Sequence, residues 1–251
     1  MDGVFYLFGK EIPIYGVCFY VGVLLSAVVG ILLAKRNKID IFDFIGCSIY
    51  VLIGALLGAK LLFVIVSLRE IIRLGLSFWD VLRGGFVFYG GLLGGALGGW
   101  IYTKQFKLDL YPYFNIFATV LPLGHAIGRV GCFFAGCCYG IEYHGIGAHV
   151  YEKSLSLYTP LHTPLLPIQL IEAFLLLCLF CLLLYLFLRS DIGSEKVMFC
   201  YTIGYAVLRF VLEFFRGDME RGKLIGLSTS QWISIFMLIM IIVFAFIKRK
   251  N

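Results

Sequence analysis

The chain has 251 residues, of which 61% are hydrophobic and 14% are charged, and its mean hydropathy is +0.96. These values exclude an ordinary soluble domain, in which about a quarter of the residues are charged. The net charge of +6 does not indicate a nucleic-acid partner, because the basic residues lie mainly in loops between apolar runs, where membrane topology accounts for them.

Seven apolar runs are long enough to cross the roughly 30 Å hydrocarbon layer of a bilayer. They lie at residues 14–34, 44–66, 86–103, 112–134, 166–188, 197–215 and 228–247. Only helices and closed barrels satisfy the backbone in lipid, and these runs lack the alternating polarity of a barrel strand. We therefore predict an all-α, polytopic integral membrane protein with seven transmembrane helices, in which residues 1–251 form a single transmembrane domain.

The loops predict how the chain is oriented in the membrane. Basic clusters follow the first run, at residues 35–38, and the last run, at residues 248–250. Because cytoplasmic loops carry an excess of Lys and Arg, we expect the amino terminus outside and the carboxyl terminus in the cytoplasm. The first run is preceded by little charge, so we expect it to stay as a spanning helix rather than to be cleaved as a signal peptide.

Charged residues within or at the ends of apolar runs are costly in lipid and therefore informative. In this chain they are Lys60, Arg129, Glu172, Arg209 and Glu213. All except Lys60 are expected to collect towards the outer leaflet. Each of the five therefore carries a functional hypothesis.

Glycine doublets recur every four residues in the third run, as Gly90-Gly91, Gly94-Gly95 and Gly98-Gly99. This spacing gives a smooth helical face, which is typical of close helix packing in membranes. The alternative is that the bare backbone lets a lipid headgroup or acyl chain approach near Tyr89.

The densest cluster of unusual residues lies at residues 128–140, at the outward end of the fourth run, and reads GRVGCFFAGCCYG. This segment resembles the glycine, arginine, glycine, asparagine, phenylalanine signature of the prolipoprotein diacylglyceryl transferase family. The residues in register are Gly128, Arg129, Gly131, Phe133, Gly136 and Gly140.

The resemblance continues in order along all seven predicted helices. Its further elements are Tyr15 with Gly16, Lys60 after two small residues, the segment Phe88-Tyr89-Gly90-Gly91, Gln169 with Glu172, the sixth-helix set Tyr205, Arg209, Glu213 and Arg216, and Gln231 with Ser234. By this resemblance the substrate-binding residues are Tyr15, Gly90, Gly91, Gly128, Arg129, Gly131, Cys132, Cys137, Gly140, Gln169, Tyr205 and Glu213.

The resemblance implies transfer of a diacylglyceryl group from phosphatidylglycerol to the cysteine thiol in the signal-peptide region of a prolipoprotein, without a cofactor. The reaction takes place at the outer leaflet of the bacterial inner membrane and releases glycerol phosphate. Such a site must hold a phosphate diester and stabilise the extra negative charge as it leaves. Arg129 is the first candidate, because a guanidinium stays charged and grips two phosphate oxygens. The alternative is an arginine that only snorkels to the interface.

Tyr205, Arg209 and Glu213 are each four residues apart and therefore lie on one side of the sixth predicted helix. Arg209 and Glu213 are expected to pair. One interpretation is an internal ion pair that fixes helix packing. The other, implied by the resemblance, is that Arg209 belongs to the active-site gate or the phosphate site. Arg216 is expected at the water interface.

Several residues depart from the family where the chemistry should occur. Tyr89 occupies the position of the family histidine proposed as the base and is therefore a catalytic candidate, although a phenol stays protonated at neutral pH unless a nearby cation lowers its pKa. Cys132 replaces the signature asparagine, and Cys137 stands where the family has glutamate. His125, one turn before Arg129, is the nearest remaining histidine and a candidate for proton transfer. The alternative is a histidine satisfied inside the bundle.

The chain has eight cysteines, and their distribution does not predict a disulfide framework. Five lie inside apolar runs and are expected to be small buried hydrophobes, namely Cys18, Cys47, Cys178, Cys181 and Cys200. The cluster of Cys132, Cys137 and Cys138 is a poor match to zinc-ligand spacing, so no metal site is predicted. A thiolate role near Arg129 is the alternative to small-residue packing at these positions.

Two other functions compete with the transferase. One is a non-catalytic lipid-binding or lipid-transport protein on the same scaffold, which the missing histidine, asparagine and glutamate favour. The other is a transferase with a different acceptor. Retention of Arg129, Arg209 and Glu213 favours the prolipoprotein diacylglyceryl transferase over both, because charged residues are costly to keep in lipid.

Overall fold

The computed structural model describes residues 3–7, 9–75, 77–83, 85, 87–156, 158–189, 191, 194–218 and 223–250. Within these residues the chain is predominantly α-helical, as predicted. The α-helices are α1 (Ile14–Arg36), α2 (Ile41–Leu74), α3 (Phe78–Arg83), α4 (Phe88–Gln105), α5 (Leu110–Ala135), α6 (Ile168–Arg189), α7 (Lys196–Leu212) and α8 (Thr229–Lys250). A short 3-10 helix, Glu213–Phe215, continues α7.

Each of the seven apolar runs forms a helix, although Phe86 at the start of the third run lies outside the described residues. Helix α2 continues well beyond its apolar run to Leu74, and its ends are well defined. Asp40 accepts hydrogen bonds from the backbone N–H groups of Phe42 and Asp43, and Gly75 ends the helix with φ +59°. Side-chain capping and a left-handed glycine are the usual boundaries of a helix.

Five helical segments among the described residues are long and apolar enough to cross a membrane, namely α1, α2, α5, α6 and Lys196–Phe215. Helix α4 is not among them, and six of its 18 residues are glycine. In α8 the apolar helical part is Thr229–Val243, which is shorter than the others. Length and composition therefore support a multi-pass membrane protein with five spans, and the predicted count of seven stays a prediction.

Short antiparallel hairpins lie next to the helices. Strand β1 (Val4–Leu7) pairs with β2 (Lys10–Pro13), with Val4 opposite Pro13, directly before α1. Strand β3 (His149–Val150) pairs with β4 (Pro164–Leu165), and β5 (Lys223–Leu224) pairs with β6 (Leu227–Ser228) directly before α8. The pattern of apolar runs did not predict these strand pairs.

The chain forms two compact units. The first comprises Met1–Gly30 and Phe117–Asn251, and the second comprises Ile31–Ile116. In the first unit α7 packs against α6 and α8. The buried face of α6 recurs every three or four residues and consists of Ile168, Gln169, Glu172, Ala173, Leu176, Leu179, Leu183 and Phe187.

The opposite face of α6 is open. Cys178 and Cys181 lie on it and are exposed, so the expectation that they are buried is wrong, whereas Cys47 on α2 is buried as expected. A helix that packs on one side only leaves its other side to the surrounding solvent, which is lipid for a membrane-spanning segment.

In the second unit α2 and α4 approach each other along glycines. A Cβ atom on Gly94 would overlap the carbonyl oxygen of Gly54, and one on Gly90 would overlap that of Gly58. The packing interpretation of the glycine doublets is therefore confirmed. In lipid, small residues at an interface allow helix backbones to approach closely enough for van der Waals contact.

Lys60 on α2 has local partners in the second unit. Its ammonium group donates to the backbone carbonyls of Val81 and Gly85 at 3.1 Å each, and it lies 5.1 Å from the ring centroid of Phe63. Backbone carbonyls and an aromatic face are ordinary partners for a buried ammonium. Lys60 thus ties α3, and Gly85 just after it, to α2.

Candidate active site

A buried carboxylate, Glu172, lies at the centre of the charged side chains in the first unit. Its Oε1 lies 3.1 Å from Nε of Arg129 and 3.9 Å from Nε2 of His125. Its Oε2 lies 4.0 Å from Nη1 of Arg216. Arg129 and His125 are four residues apart on α5 and share one face, while Glu172 lies one turn into α6. The structure thus brings together Arg129 and His125, both predicted to be catalytic, and Glu172, a charged residue within the fifth apolar run.

Three arginines of this unit keep a buried nitrogen without a hydrogen-bond acceptor among the described residues. These atoms are Nε of Arg129, Nη1 of Arg209 and Nη1 of Arg216. Nε of Arg129 and Glu172 form an ion pair, but they are not aligned as a hydrogen bond. Because a buried donor without an acceptor is costly, these arginines suit an anionic ligand with several acceptor oxygens.

Arg216 lies inside the protein, and the expectation that it lies at the water interface is wrong. Only 3% of its side chain is exposed, because the backbone beside it pairs with the signature segment at Gly140. Its Nε and Nη2 donate to the two carboxylate oxygens of Asp218 at 2.8 Å and 2.6 Å. Burial disfavours the charge, but Asp218 and Cys138 outweigh it and raise the pKa of Arg216 above its usual value.

Gly140 permits this contact between segments. A Cβ atom there would overlap the backbone carbonyl of Leu166. Two backbone hydrogen bonds, from Ile141 to Phe215 and from Gly217 to Tyr139, both 3.0 Å, hold the strands on either side. The close contact with Leu166 therefore accounts for a glycine at position 140. Its predicted part in substrate binding stays a prediction.

The sixth-run residues meet as predicted. Arg209 Nη2 lies 2.6 Å from Glu213 Oε2, and both side chains are buried, so the expected pairing is confirmed. Arg209 Nη2 also donates to the Ser230 hydroxyl at 3.2 Å, which ties α7 to α8. One turn earlier, the ring of Tyr205 lies 5.7 Å from the ring of His125. The α7 residues therefore join the site through His125.

The three clustered cysteines come together at the end of α5. Their sulfur atoms all lie within 4.8 Å of one another, a group able to hold a metal ion. The turns that permit this are left-handed, with φ +71° at Gly136 and +58° at Cys138. Hydrogen bonds from the thiols of Cys132 and Cys137 lower the pKa of Cys138, and the nearby positive charges of Arg216 and Arg129 act in the same direction.

Gln169 connects α6 to the signature segment. Its amide nitrogen donates to the backbone carbonyl of Cys137 at 2.8 Å and to the hydroxyl of Tyr151 at 3.3 Å. Burial raises the pKa of Tyr151 to about 12, so this phenol is protonated at neutral pH. Tyr151 lies in the long segment between α5 and α6, where the sequence offered no signal for it. Asp218 was missed as well, although an Arg and an Asp two residues apart after an apolar run hint at a pair.

Two signature glycines have different surroundings. A Cβ atom on Gly131 would lie 2.9 Å from Cβ of Cys18 and 3.3 Å from Cα of Tyr15, so Gly131 lets α5 pack closely on the start of α1. A Cβ atom on Gly128 would meet nothing within 4 Å. The structure therefore leaves open space at the residue before Arg129.

A cavity of roughly 250 Å³ opens in the first unit. It is lined by Pro13, Tyr15, Ala135, Cys137, Leu155 and Ser156. Two residues predicted for substrate binding, Tyr15 and Cys137, thus share one cavity beside the signature segment.

Tyr89, Gly90 and Gly91 lie at the start of α4 and belong to the second unit. Gly90 packs against α2 at Gly58. The predicted roles of these three residues in catalysis and substrate binding stay predictions.

Comparison with known proteins gives one consistent family. The family described as prolipoprotein diacylglyceryl transferase matches residues 3–247. A phosphatidylglycerol–prolipoprotein diacylglyceryl transferase of Clostridium tetani is 37% identical over 240 residues, which cover 94% of this chain and 93% of the relative. A second such protein, of Clostridium perfringens, is 32% identical and covers 93% and 90%. One of Finegoldia magna is 30% identical and covers 95% and 92%. The chain therefore belongs to the prolipoprotein diacylglyceryl transferase family.

Proposed function

We propose that this protein transfers a diacylglyceryl group from phosphatidylglycerol to the cysteine thiol of a prolipoprotein, a step of lipoprotein biosynthesis. The names of its relatives state both substrates. The observation that carries the proposal is the pair of Arg129 and Glu172, which are 3.1 Å apart with side chains 12% and 1% exposed. Arg129 of this pair is a permanent cation in the segment that resembles the family signature, and the space at the preceding residue, Gly128, is open.

The phosphate of the donor lipid binds at Arg129. Nε of Arg129 faces Glu172. The two terminal nitrogens of its guanidinium bind two phosphate oxygens in the bidentate geometry that guanidinium groups favour. The open space at Gly128 gives the headgroup room, and Arg209 and Arg216 add positive charge to the same unit.

The reaction forms a bond between the acceptor sulfur and a glyceryl carbon and breaks the bond from that carbon to the phosphate oxygen. The phosphate gains one negative charge as it becomes a monoester, and Arg129 stabilises that charge. The thiol proton must pass to a base. Of the two residues predicted for this role, His125 lies in the same unit as Arg129, with its Nε2 3.9 Å from Oε1 of Glu172. We assign the role to His125.

We place the protein in the cell inner membrane, with seven membrane-crossing helices, the amino terminus outside and the carboxyl terminus in the cytoplasm. The five long apolar segments support this arrangement, and α4 and α8 complete the count. The basic clusters at residues 35–38 and 248–250 support the orientation. In this orientation the site opens to the outer leaflet, where the signal-peptide region of the prolipoprotein is bound.

The second candidate is a lipid-binding or lipid-transport protein on the same scaffold, or a transferase with another acceptor. The observation that favours it is the presence of Tyr89, Cys132 and Cys137 where the family has histidine, asparagine and glutamate. Expression in cells depleted of their own diacylglyceryl transferase decides between the candidates, with lipoprotein modification read by mass spectrometry. We expect diacylglyceryl-modified lipoprotein. Well-expressed protein that binds phosphatidylglycerol but leaves the lipoprotein unmodified would contradict the proposal.

The Arg129→Lys variant tests the phosphate role. Lysine keeps the charge but loses the planar fork, so we expect transfer to fall on the order of a hundredfold or more while the protein still folds and inserts. Arg73→Lys is the matched control, because the Arg73 side chain is 69% exposed and pairs only with Glu70 among the described residues. A wild-type transfer rate for Arg129→Lys at matched expression would show that the assigned role is wrong.

A further inference from the structure

We propose that Cys132, Cys137 and Cys138 bind a soft, thiophilic cation of the monovalent copper type through three sulfur atoms. The spacing of these cysteines alone predicted no metal site. The reason to propose one is the proximity of the sulfur atoms, which all lie within 4.8 Å of one another. The test of this proposal measures metal binding and does not use the transferase activity.

The backbone holds the three cysteines in position. Cys132 lies in the last turn of α5, and the N–H group of Cys137 donates to the carbonyl of Cys132 at 3.2 Å, which closes the loop between them. Gly136 turns the chain with φ +71°. Gln169 holds the carbonyl of Cys137 from α6. Such outer contacts orient the ligands of a metal site.

The number and kind of ligands indicate the class of ion. Thiolates select soft cations, and sulfur atoms about 2.3 Å from a central ion lie about 4 Å apart in a trigonal plane. The sulfur atoms, all within 4.8 Å of one another, need at most a small contraction to reach this spacing. No fourth His, Cys, Asp or Glu joins the group within the described part of the chain. Three donors fit a three-coordinate monovalent ion and do not make the closed four-ligand site of structural zinc.

The surrounding charge suits an anionic complex. Three thiolates around a monovalent cation carry two negative charges in total. Arg216 and Arg129 both interact electrostatically with the sulfur of Cys138, and Nη1 of Arg216 has no acceptor among the described residues. These two arginines offset the charge of the complex, which would otherwise be costly at a partly buried site.

An ion also needs a route to the sulfur atoms. All three cysteines are only partly buried. The cavity of roughly 250 Å³ beside Tyr15 includes Cys137 in its lining. A preformed set of donors with an open approach meets the structural requirements for loading a metal site after folding.

The test is a titration of the full chain in detergent, reduced and free of metal, under anaerobic conditions. Monovalent copper is supplied as its complex with bicinchoninate, a coloured chelator that competes for the ion. We expect the protein to withdraw one equivalent of copper and X-ray absorption to report three sulfur neighbours. Because loss of an outer contact alone weakens metal sites about 10- to 100-fold, each of Cys132→Ser, Cys137→Ser and Cys138→Ser should weaken binding at least about tenfold.

Cys178→Ser is the matched control, because Cys178 is an exposed cysteine on α6 away from the buried face. It should bind copper as the wild type does. Thermal unfolding measures whether every variant is folded. If a serine variant is not folded, Cys138→Ala is tested in its place. Failure of the wild type to take copper from the chelator would overturn the proposal, as would equal losses in Cys178→Ser and Cys132→Ser. Retention of zinc in preference to copper would overturn the choice of ion.

Discussion

At the residue scale, Glu172 lies within 4.0 Å of three side chains that carry or can carry positive charge, Arg129, His125 and Arg216. The Glu172 side chain is 1% exposed, so water does not reach this position to replace the carboxylate as a partner of these cations. Removal of one member of a buried ion pair leaves an uncompensated charge and costs about 3–5 kcal/mol. Glu172 therefore both stabilises the fold and fixes the direction of the Arg129 guanidinium.

We expect Glu172→Gln to lower both stability and transfer. Glutamine keeps the shape and loses the charge, so the buried cations lack their counter-charge and the free energy of unfolding should fall by about 3 kcal/mol. Transfer should fall because Arg129 is no longer oriented. Thermal unfolding and a transfer assay measure the two effects. Glu142→Gln is the control, since Glu142 pairs with His144 at the exposed surface and such pairs contribute little. Wild-type stability in Glu172→Gln would contradict this account.

The sequence predicted the charged residues of the site better than their surroundings. Arg129, Arg209 and Glu213 were identified because charge within an apolar run is rare and costly, and a spacing of four placed Arg209 beside Glu213. Arg216 was misplaced because it follows the last apolar residue of its run, and its burial depends on the distant segment at Gly140. Tyr151 gave no signal, because the segment between α5 and α6 has no periodicity.

At the element scale, each glycine doublet of α4 has one member that faces α2 closely. A Cβ atom on Gly90, Gly94 or Gly98 would overlap a backbone carbonyl of α2, whereas one on Gly95 would lie 3.4 Å from its nearest neighbour, an ordinary contact. In lipid there is no hydrophobic drive between helices, so this close approach supplies the packing energy. The period of four keeps the close-packed members on one face of α4.

We expect Gly94→Ala to separate α2 from α4 and Gly95→Ala to be tolerated. An added methyl group at Gly94 meets backbone, which cannot move aside as a side chain can, and overpacking of this kind costs about 1–3 kcal/mol. Alanine at Gly95 should be neutral or stabilising, because alanine favours helix by up to about 1 kcal/mol over glycine. Thermal unfolding in detergent compares the two variants. Equal losses would show that the glycine face is not the contact.

Hydrophobic runs located every long helix but not the short elements. Helix α2 extends beyond its run at residues 44–66 because Arg69, Glu70 and Arg73 continue the helix after the apolar residues end. The hairpins were not predicted, since strands of two to four residues are too short to show a period. Helix α3 has six residues and was missed for the same reason.

At the scale of the whole molecule, the first unit collects its site residues at one end of alternating helices. Arg129 lies near the end of α5, Glu172 near the start of α6, Arg209 near the end of α7 and Ser230 at the start of α8. Consecutive helices that alternate in direction bring these positions together. The opposite ends carry basic residues, with Arg189 ending α6. By the rule that basic ends face the cytoplasm, we predict that the site faces outward.

Reporter fusions test this orientation. We expect a fluorescent protein fused after Asn251 to be bright and an alkaline phosphatase fused there to be inactive, because the carboxyl terminus is predicted to be cytoplasmic. Phosphatase inserted after Ile146, a fully exposed residue between α5 and α6, should be active outside. A fluorescent protein inserted after Asp191, between α6 and α7, is the internal control and should be bright. The reverse pattern would place Arg129 and Glu172 at the cytoplasmic side, where an outer-leaflet transfer to a secreted prolipoprotein is impossible.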